Sequence, residues 1–200
     1  MNAPFSMLKR ILARLGGWGL ATLAVATPLA AADAPPPLAP FKEYEVKAAC
    51  LFNFGQFVEW PAAAFAATNS PLGIGVLGAD PFGEYLNQIV QNETIKGRKV
   101  TIQSSRRVED LLSCHVLFIS KSEKGRLPQI LAALGNTSVL TVGEVEGFAE
   151  RGVMINFYLQ GNKVRFEINP TAAQRQGLKI SSQLLKLGKI VGPAFPPPKD

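Results

Sequence analysis

The sequence predicts an α/β protein with one domain, a mainly parallel sheet, helices on both faces of that sheet and a β-hairpin near the C-terminus. Short apolar runs alternate with helical stretches through the middle of the chain, which is typical of βαβ units. Two runs that alternate apolar and polar residues follow in the last third, as expected for a hairpin. Residues 42–191 contain this whole pattern without an internal repeat, so we interpret them as one domain.

Residues 43–61 are predicted to form the first helix. At 100° per residue their apolar side chains cover a broad arc, so the helix must pack on more than one side. Phe52 falls outside this arc, between Glu45 and Glu59, so it is either covered by another part of the chain or offered to a partner. Pro61 should end the helix because it restricts the preceding residue and cannot donate a backbone hydrogen bond.

Four apolar runs are predicted to form the parallel strands. They lie at residues 73–77, 99–103, 116–119 and 139–142. Helical stretches separate the strands at about residues 81–91, 108–112 and 125–134. Connections of this kind bring helices over both faces of a parallel sheet.

The hairpin prediction rests on residues 154–159 and 163–168, which a two-residue turn at Gly161 and Asn162 would join. This register pairs only apolar residues on one face, namely Leu159 with Val164, Phe157 with Phe166 and Ile155 with Ile168. The other face is mostly polar and collects Met154, Asn156, Tyr158, Arg165, Glu167 and Asn169. A slip of one residue would mix the two sets, so the sequence favours this register.

A short helix and a final helix should follow the hairpin. The short helix begins after Pro170 and ends near Gly177, where a glycine can adopt the left-handed conformation of a helix end. Ser181 or Ser182 can cap the final helix, which should continue to about Ile190.

The two ends of the chain lie outside the predicted domain. Residues 1–34 resemble a cleaved secretory signal peptide, with basic residues ahead of an apolar run and small residues around the cleavage site. That run is shorter than the roughly 20 residues that span a bilayer, so we expect no transmembrane span in the mature chain. Residues 35–41 and 192–200 are rich in proline and should be extended.

Charge and composition argue against several classes of function. The net charge of +6 falls to +4 once residues 1–34 are removed, and the remaining basic residues are scattered. A nucleic-acid partner is therefore not indicated. The sequence has no Cys/His cluster and its carboxylates are dispersed, so we expect neither a metal nor a cofactor.

Cys114 and His115 are the only pair that suggests nucleophilic catalysis. Neighbouring residues that enter a strand point to opposite faces, so this thiol and this imidazole cannot share a proton. His115 is the only histidine of the chain, and we expect it at the mouth of a strand, held by a hydrogen bond. The sequence therefore predicts that the protein is not an enzyme.

A candidate ligand loop consists of Gly78, Asp80 and Gly83, together with Ser120. These residues follow predicted strands, where open parallel sheets bind ligands. The spacing matches neither a dinucleotide fingerprint nor a phosphate loop. Asp80 is also explained as a helix cap, with Pro81 at the first helical position.

Seven motifs of the chain, in order, resemble the signature blocks of the YfiR family. They lie at residues 47–61, 76–83, 114–120, 140–143, 155–157, 164–169 and 178–185. Proteins of this family are periplasmic, and the best-understood kind represses a membrane-bound diguanylate cyclase by binding its periplasmic part. The resemblance therefore implies a periplasmic regulatory binding protein in cyclic di-GMP signalling, and it makes a homodimer plausible. The alternative is a periplasmic small-molecule sensor that uses the candidate ligand loop and acts on another membrane signalling protein.

With this resemblance, the polar face of the hairpin becomes the candidate surface for the partner. The candidate residues are Phe52, Tyr158, Arg165, Glu167 and Asn169. Arg165 and Glu167 could form a lateral ion pair worth only about 0–1 kcal/mol, but such groups offer directional contacts to a partner. The alternative is a sheet face that is solvated or covered by the last helix.

Cys50 and Cys114 are the only thiols, and an oxidising compartment would allow a disulfide between them. Against this pairing, Cys50 lies on the apolar arc of the first helix, where a free cysteine behaves as a small hydrophobe. In many relatives a cysteine near position 75 pairs with the one at position 114. This chain has Gly75, so the resemblance leaves Cys114 without its usual partner.

Overall fold

An eight-stranded sheet, mostly parallel, dominates the computed structural model, which describes residues 40–192. The elements in chain order are α1 (Pro40–Phe57), β1 (Val58–Glu59), β2 (Leu72–Leu77), α2 (Glu84–Val90), β3 (Thr94–Ile95), β4 (Arg98–Ser105), β5 (Val116–Ile119), α3 (Leu127–Leu134), β6 (Leu140–Gly143), β7 (Ile155–Gln160), β8 (Lys163–Ile168), α4 (Pro170–Arg175), β9 (Lys179–Ile180), α5 (Ser182–Leu185) and β10 (Lys189–Ile190). Short 3₁₀ helices add Ala62–Ala64, Val108–Leu111 and Lys121–Arg126.

The strand order across the sheet is β10, β8, β7, β6, β5, β2, β4, β3. The five central strands, from β7 to β4, are parallel, whereas β7 and β8 form an antiparallel hairpin and β3 is antiparallel to β4. Successive strands lie on opposite sides of β2, so a topological switch point falls between β2 and β5. The predicted α/β fold with a mainly parallel sheet and a C-terminal hairpin is confirmed.

Both faces of the sheet are covered, as predicted. Side chains of α1, α2, α4 and α5 pack on one face, where Phe54, Val76 and Phe118 are buried. The other face packs against α3 and the loop that follows β6, around Leu77 and Leu117. Val76 and Leu77 therefore enter opposite cores, as consecutive residues of a strand buried on both faces should.

The predicted length of the first helix was wrong, because α1 ends at Phe57 rather than at Pro61. Val58 and Glu59 instead pair with Ile180 and Lys179 in the small antiparallel sheet of β1 and β9. The backbone N–H of Ser181 also donates to the carbonyl of Phe57. The helix therefore ends where a distant segment of the chain satisfies its backbone groups.

The structure shows whether Phe52 is covered by the chain or exposed to a partner. Its side chain is 8 % exposed and lies in the core that α1 forms with the sheet. Phe52 is thus covered by the chain itself, and its prediction as a partner contact was wrong.

The hairpin has the predicted register. Leu159 pairs with Val164, Phe157 with Phe166 and Ile155 with Ile168. The predicted polar face is smaller than expected, since Met154 and Asn169 are buried. Asn169 caps α4, accepting from the N–H of Ala172 at 2.9 Å and donating to the carbonyl of Ala149 at 2.8 Å. Its prediction as a partner contact was therefore wrong as well.

The final helix is much shorter than predicted. Ser181 caps α5 as expected, but the helix ends at Leu185 and the chain then forms β10 beside β8. A Cβ atom at Gly188 would lie 2.7 Å from side-chain atoms of Ile168, so only glycine allows the chain to approach β8 so closely. The N–H of Val191 then donates to the carbonyl of Ile168 at 2.8 Å.

The predicted cap of the second helix was also wrong. The residue that precedes α2 is Gly83, not Asp80. Asp80 instead accepts hydrogen bonds from the N–H of Phe82 at 2.8 Å and from the hydroxyl of Ser104 at 3.0 Å. Phe82 is buried in the core, and α2 begins two residues after it, at Glu84.

Most of the predicted end segments lie outside the described residues. This applies to the signal peptide at 1–34, to residues 35–39 of the proline-rich start and to residues 193–200 of the tail. Within residues 40–192, no helix combines the length and the apolar character that a membrane span requires.

His115 fixes the segment that precedes β2, and its expected position at the mouth of a strand is confirmed. Its Nδ1 atom accepts from the N–H of Gly73 at 3.1 Å, so its Nε2 atom carries the proton and donates to the carbonyl of Ala64 at 3.1 Å. The ring also stacks on Phe65, with 4.3 Å between the centroids. Burial lowers the pKa of His115, and the nearby charge of Arg98 lowers it further.

We predict that acid destabilises the protein through His115. Because the folded-state pKa is lower than the unfolded value of about 6.5, the unfolded chain binds the proton first as the pH falls, at a cost of up to about 1.4 kcal/mol per pH unit. Urea unfolding between about pH 8 and pH 5 should show a steeper loss of stability for the wild type than for H115Q, whose side chain does not titrate. Parallel curves for the two proteins would contradict this role.

Candidate functional site

The hairpin of β7 and β8 extends beyond the carboxyl edge of the central strands. β7 pairs with β6 only through Ile155 and Asn156, so residues 157–160 continue past the end of β6. On the other side of this edge stands the first half of α1. A cleft of about 720 Å³ lies between the two, and the loops that follow β5 and β6 complete it.

A buried ion cluster joins α1 to the loop after β6. The ammonium of Lys47 lies 2.7 Å from Glu144 Oε2 and also contacts the carboxylate of Glu43, one helical turn before it. The side chains of Lys47 and Glu144 are only 5 % and 2 % exposed. Glu144 also accepts from the backbone N–H of Lys121 at 3.2 Å. Two carboxylates therefore share one ammonium inside the wall of the cleft.

Tyr44 completes this cluster. Burial raises the pKa of its hydroxyl, and the hydrogen bond and negative charge of Glu144 raise it further, as does the charge of Glu43. The phenol therefore stays protonated and donates to Glu144. Its ring also lies 4.6 Å from the ammonium of Lys47, close enough for a cation–π contact.

The exposed part of the hairpin face contains Tyr158, Arg165 and Glu167. Tyr158 and Arg165 stand directly opposite each other on β7 and β8, and both are partly exposed. Glu167 pairs with Lys189 of β10 at 2.9 Å rather than with Arg165. Three of the five predicted partner residues thus share one surface. On this surface Arg165 has no ion-pair partner among residues 40–192, so its guanidinium can donate to another molecule.

Asn156 lies on the same face but has a different environment. It stands opposite Glu167 and is 1 % exposed. Neither its Nδ2 nor its Oδ1 atom has a hydrogen-bond partner within residues 40–192. It forms part of the wall of the cleft, next to Tyr158.

The candidate ligand loop separates into two parts. A Cβ atom at Gly78 would collide with Ser122 and Glu123, and the hydroxyl of Ser122 accepts from the N–H of Ala79 at 3.0 Å. Ser120 is buried and caps the 3₁₀ helix after β5. The protein therefore fills the switch point with its own side chains. The other two residues of the loop, Asp80 and Gly83, line a separate depression of about 650 Å³.

Both thiols are free, so the disulfide between Cys50 and Cys114 is absent. Burial raises the pKa of Cys50 to about 12 and that of Cys114 to about 11, which leaves both thiols unreactive. A Cβ atom at Gly75 would lie 3.1 Å from the sulfur of Cys114. Gly75, the position where the resemblance implied a bridging cysteine, is thus adjacent to Cys114 but carries no thiol.

The described part of the chain contains no candidate metal site. No three His, Cys, Asp or Glu side chains of residues 40–192 come together as a ligand group. Cys114 packs in the core on the α3 side, whereas His115 packs against Phe65 and Trp60. The two side chains therefore point apart, as the alternation of a strand predicts.

The sequence comparison identifies the family of this fold and site. A family model described as YfiR/HmsC-like matches residues 44–189. The chain belongs to the YfiR/HmsC-like family. The resemblance inferred from the seven motifs is thus confirmed, and members of this family are periplasmic regulators rather than enzymes.

Other comparisons add little to the YfiR/HmsC-like assignment. No curated protein matches the chain significantly. Among solved structures, the ABC domain from Streptococcus pneumonia in complex with L-Trp aligns over 60 % of this chain and 55 % of its own, with 11 % identity and a TM-score of 0.44. A conserved domain protein from Vibrio cholerae aligns over 60 % of this chain and 54 % of its own, with 15 % identity and a TM-score of 0.45. This chain thus spans about half the length of these structures, and both TM-scores are too low to show a shared fold.

The ion cluster of this YfiR/HmsC-like protein should be essential for stability. We predict that K47M lowers the free energy of unfolding by about 3–5 kcal/mol, because it leaves the buried carboxylate of Glu144 without its cation. K189M removes the exposed partner of Glu167 and should cost no more than about 1 kcal/mol. Urea unfolding monitored by circular dichroism measures both. Equal losses for the two variants would contradict the assigned burial of Lys47.

Proposed function

We propose that this protein represses a membrane-bound diguanylate cyclase, or a related sensor, by binding its periplasmic part. The observation that carries the proposal is the hairpin, which presents Tyr158 and Arg165 on a surface beyond the edge of the sheet. Membership of the YfiR/HmsC-like family supports a regulatory role in the periplasm. The signal peptide predicted at residues 1–34 would direct the protein there.

The physical basis of repression is a difference in affinity. A bound regulator shifts its partner towards the conformation that it binds more tightly, so this protein must prefer the inactive cyclase. Arg165 suits such discrimination, because a guanidinium makes paired hydrogen bonds only with acceptors in the correct geometry. Tyr158 adds a rigid aromatic surface beside it, which is typical of residues that dominate interfaces.

The rigidity of the hairpin supports the same role. Its opposite face is apolar, and Phe157 and Phe166 both pack against Phe54 of α1, at centroid distances of 5.6 and 5.1 Å. β10 supports the other edge of β8. The backbone that carries Tyr158 and Arg165 is therefore held by the core, so little backbone entropy is lost when a partner binds. Homodimerisation, which the resemblance implied, stays a prediction.

We predict that R165E relieves repression. A reversed charge would repel the acceptors that Arg165 binds, so cyclic di-GMP in cells that express this variant should rise towards the level of a strain without the protein. K99E is the matched control, since Lys99 is exposed on β4 near the opposite edge of the sheet. Its cyclic di-GMP level should stay at that of the wild type.

Thermal unfolding of the purified variants would show that both remain folded. A folded R165E protein that represses as well as the wild type would overturn the assignment of this face. Equal loss of repression in K99E would show that net charge, rather than the hairpin, governs the interaction.

A further inference from the structure

The side-chain amide of Asn156 is an unusual feature of the cleft. Buried amides in folded proteins almost always have hydrogen-bond partners, because an unpaired donor or acceptor away from water is unfavourable. Here both polar atoms of the side chain lack a partner within residues 40–192. The residue lies in the wall of a cleft large enough for a small organic molecule. A bound ligand could therefore supply the hydrogen-bond partners that the protein does not provide for Asn156.

Gly143 leaves room beside the side-chain amide of Asn156, whose polar atoms are buried. Asn156 is paired with Gly143 at the end of β6, and a Cβ atom at Gly143 would lie 3.0 Å from Asn156 Oδ1. A larger residue would crowd the amide and press on Phe148, which is 2.7 Å from the same position. The glycine thus leaves the amide its space at the point where β6 ends and the cleft begins.

An unpaired amide selects the chemistry of its ligand. It presents one donor and one acceptor side by side, and a carboxamide presents the complementary pair. A carboxylate could accept from Nδ2 but would leave Oδ1 unpaired. Sites that hydrogen-bond a particular polar group reject analogues without it strongly, because the site's own buried groups are then unsatisfied.

The charges of the cleft select a second group on the ligand. Four carboxylates line it, those of Glu43, Glu144, Glu146 and Glu167, against the three ammonium groups of Lys47, Lys121 and Lys189. In the buried cluster two carboxylates share the single charge of Lys47. This surplus of negative charge favours a cation. Tyr44 and Tyr158 add aromatic faces, which also attract ammonium groups.

We propose that this cleft binds a small molecule that carries both a primary carboxamide and an ammonium group, with Asn156 pairing to the carboxamide. The ammonium lies towards the carboxylates that line the cleft. Tyr158 and Glu167 belong both to the cleft and to the hairpin face, so an occupied cleft changes the surface offered to a partner. This last, regulatory part rests on the proposed function, whereas the binding itself does not.

The test is a nuclear magnetic resonance titration of the purified protein with three matched compounds. L-Leucinamide carries both groups, L-leucine has a carboxylate in place of the carboxamide, and 4-methylpentanamide lacks the ammonium. L-Leucinamide at millimolar concentration should shift the side-chain amide signals of Asn156. The other two compounds should bind at least about tenfold more weakly.

Two variants test the role of Asn156. N156L has a similar shape without polar atoms, so it should fold with an equal or higher melting temperature and lose the binding of L-leucinamide. N87L makes the same change on the exposed surface of α2 and should bind like the wild type.

Several results would overturn the proposal. Undisturbed Asn156 signals with all three compounds in the wild type would exclude the site, whether or not N156L folds. Equal binding of L-leucine would overturn the class of ligand, and equal binding by N156L would overturn the role of Asn156. All of these readouts are independent of the cyclase, so a failure of the repressor hypothesis is distinguishable from a failure of the binding site.

Discussion

The buried contact between Lys47 and Glu144 determines how the two walls of the cleft stand relative to each other. It joins the middle of α1 to the loop after β6, across 97 residues of sequence. A buried ion pair adds little net stability compared with apolar packing, but its geometry is demanding because neither charge can be left alone. The contact therefore fixes the position of α1 over the carboxyl edge of the sheet, and the hairpin completes the cleft opposite it.

The regular part of the fold was predictable because local patterns agree with the tertiary structure. The apolar runs became strands, and the register of the hairpin followed from its pairs of apolar residues. Errors arose where a distant segment decides the local conformation. Val58 leaves α1 to pair with Ile180, and the chain after α5 becomes β10 because Gly188 fits against Ile168. Two-residue strands of this kind carry almost no signal in their own sequence.

The candidate site was only partly predictable for the same reason. Alternation along the hairpin placed Tyr158, Arg165 and Glu167 on one face, and all three line one region of the surface. Exposure could not be inferred in the same way, because it depends on what packs above a residue. Phe52 and Asn169, for example, are buried because distant parts of the chain cover them. The ion cluster was missed, although one signal was present: Lys47 is a charged residue within an otherwise apolar stretch of helix.

The proposed repression of a cyclase by an exported regulator, from the periplasmic side of the membrane, can be measured in cells. The most direct test compares intracellular cyclic di-GMP in a strain that lacks the protein with strains restored by the full chain or by a version without residues 2–34. Deletion should raise cyclic di-GMP, and only the full, exported chain should reverse this rise. An unchanged level on deletion, or restoration by the version that stays inside the cell, would contradict the proposed repression.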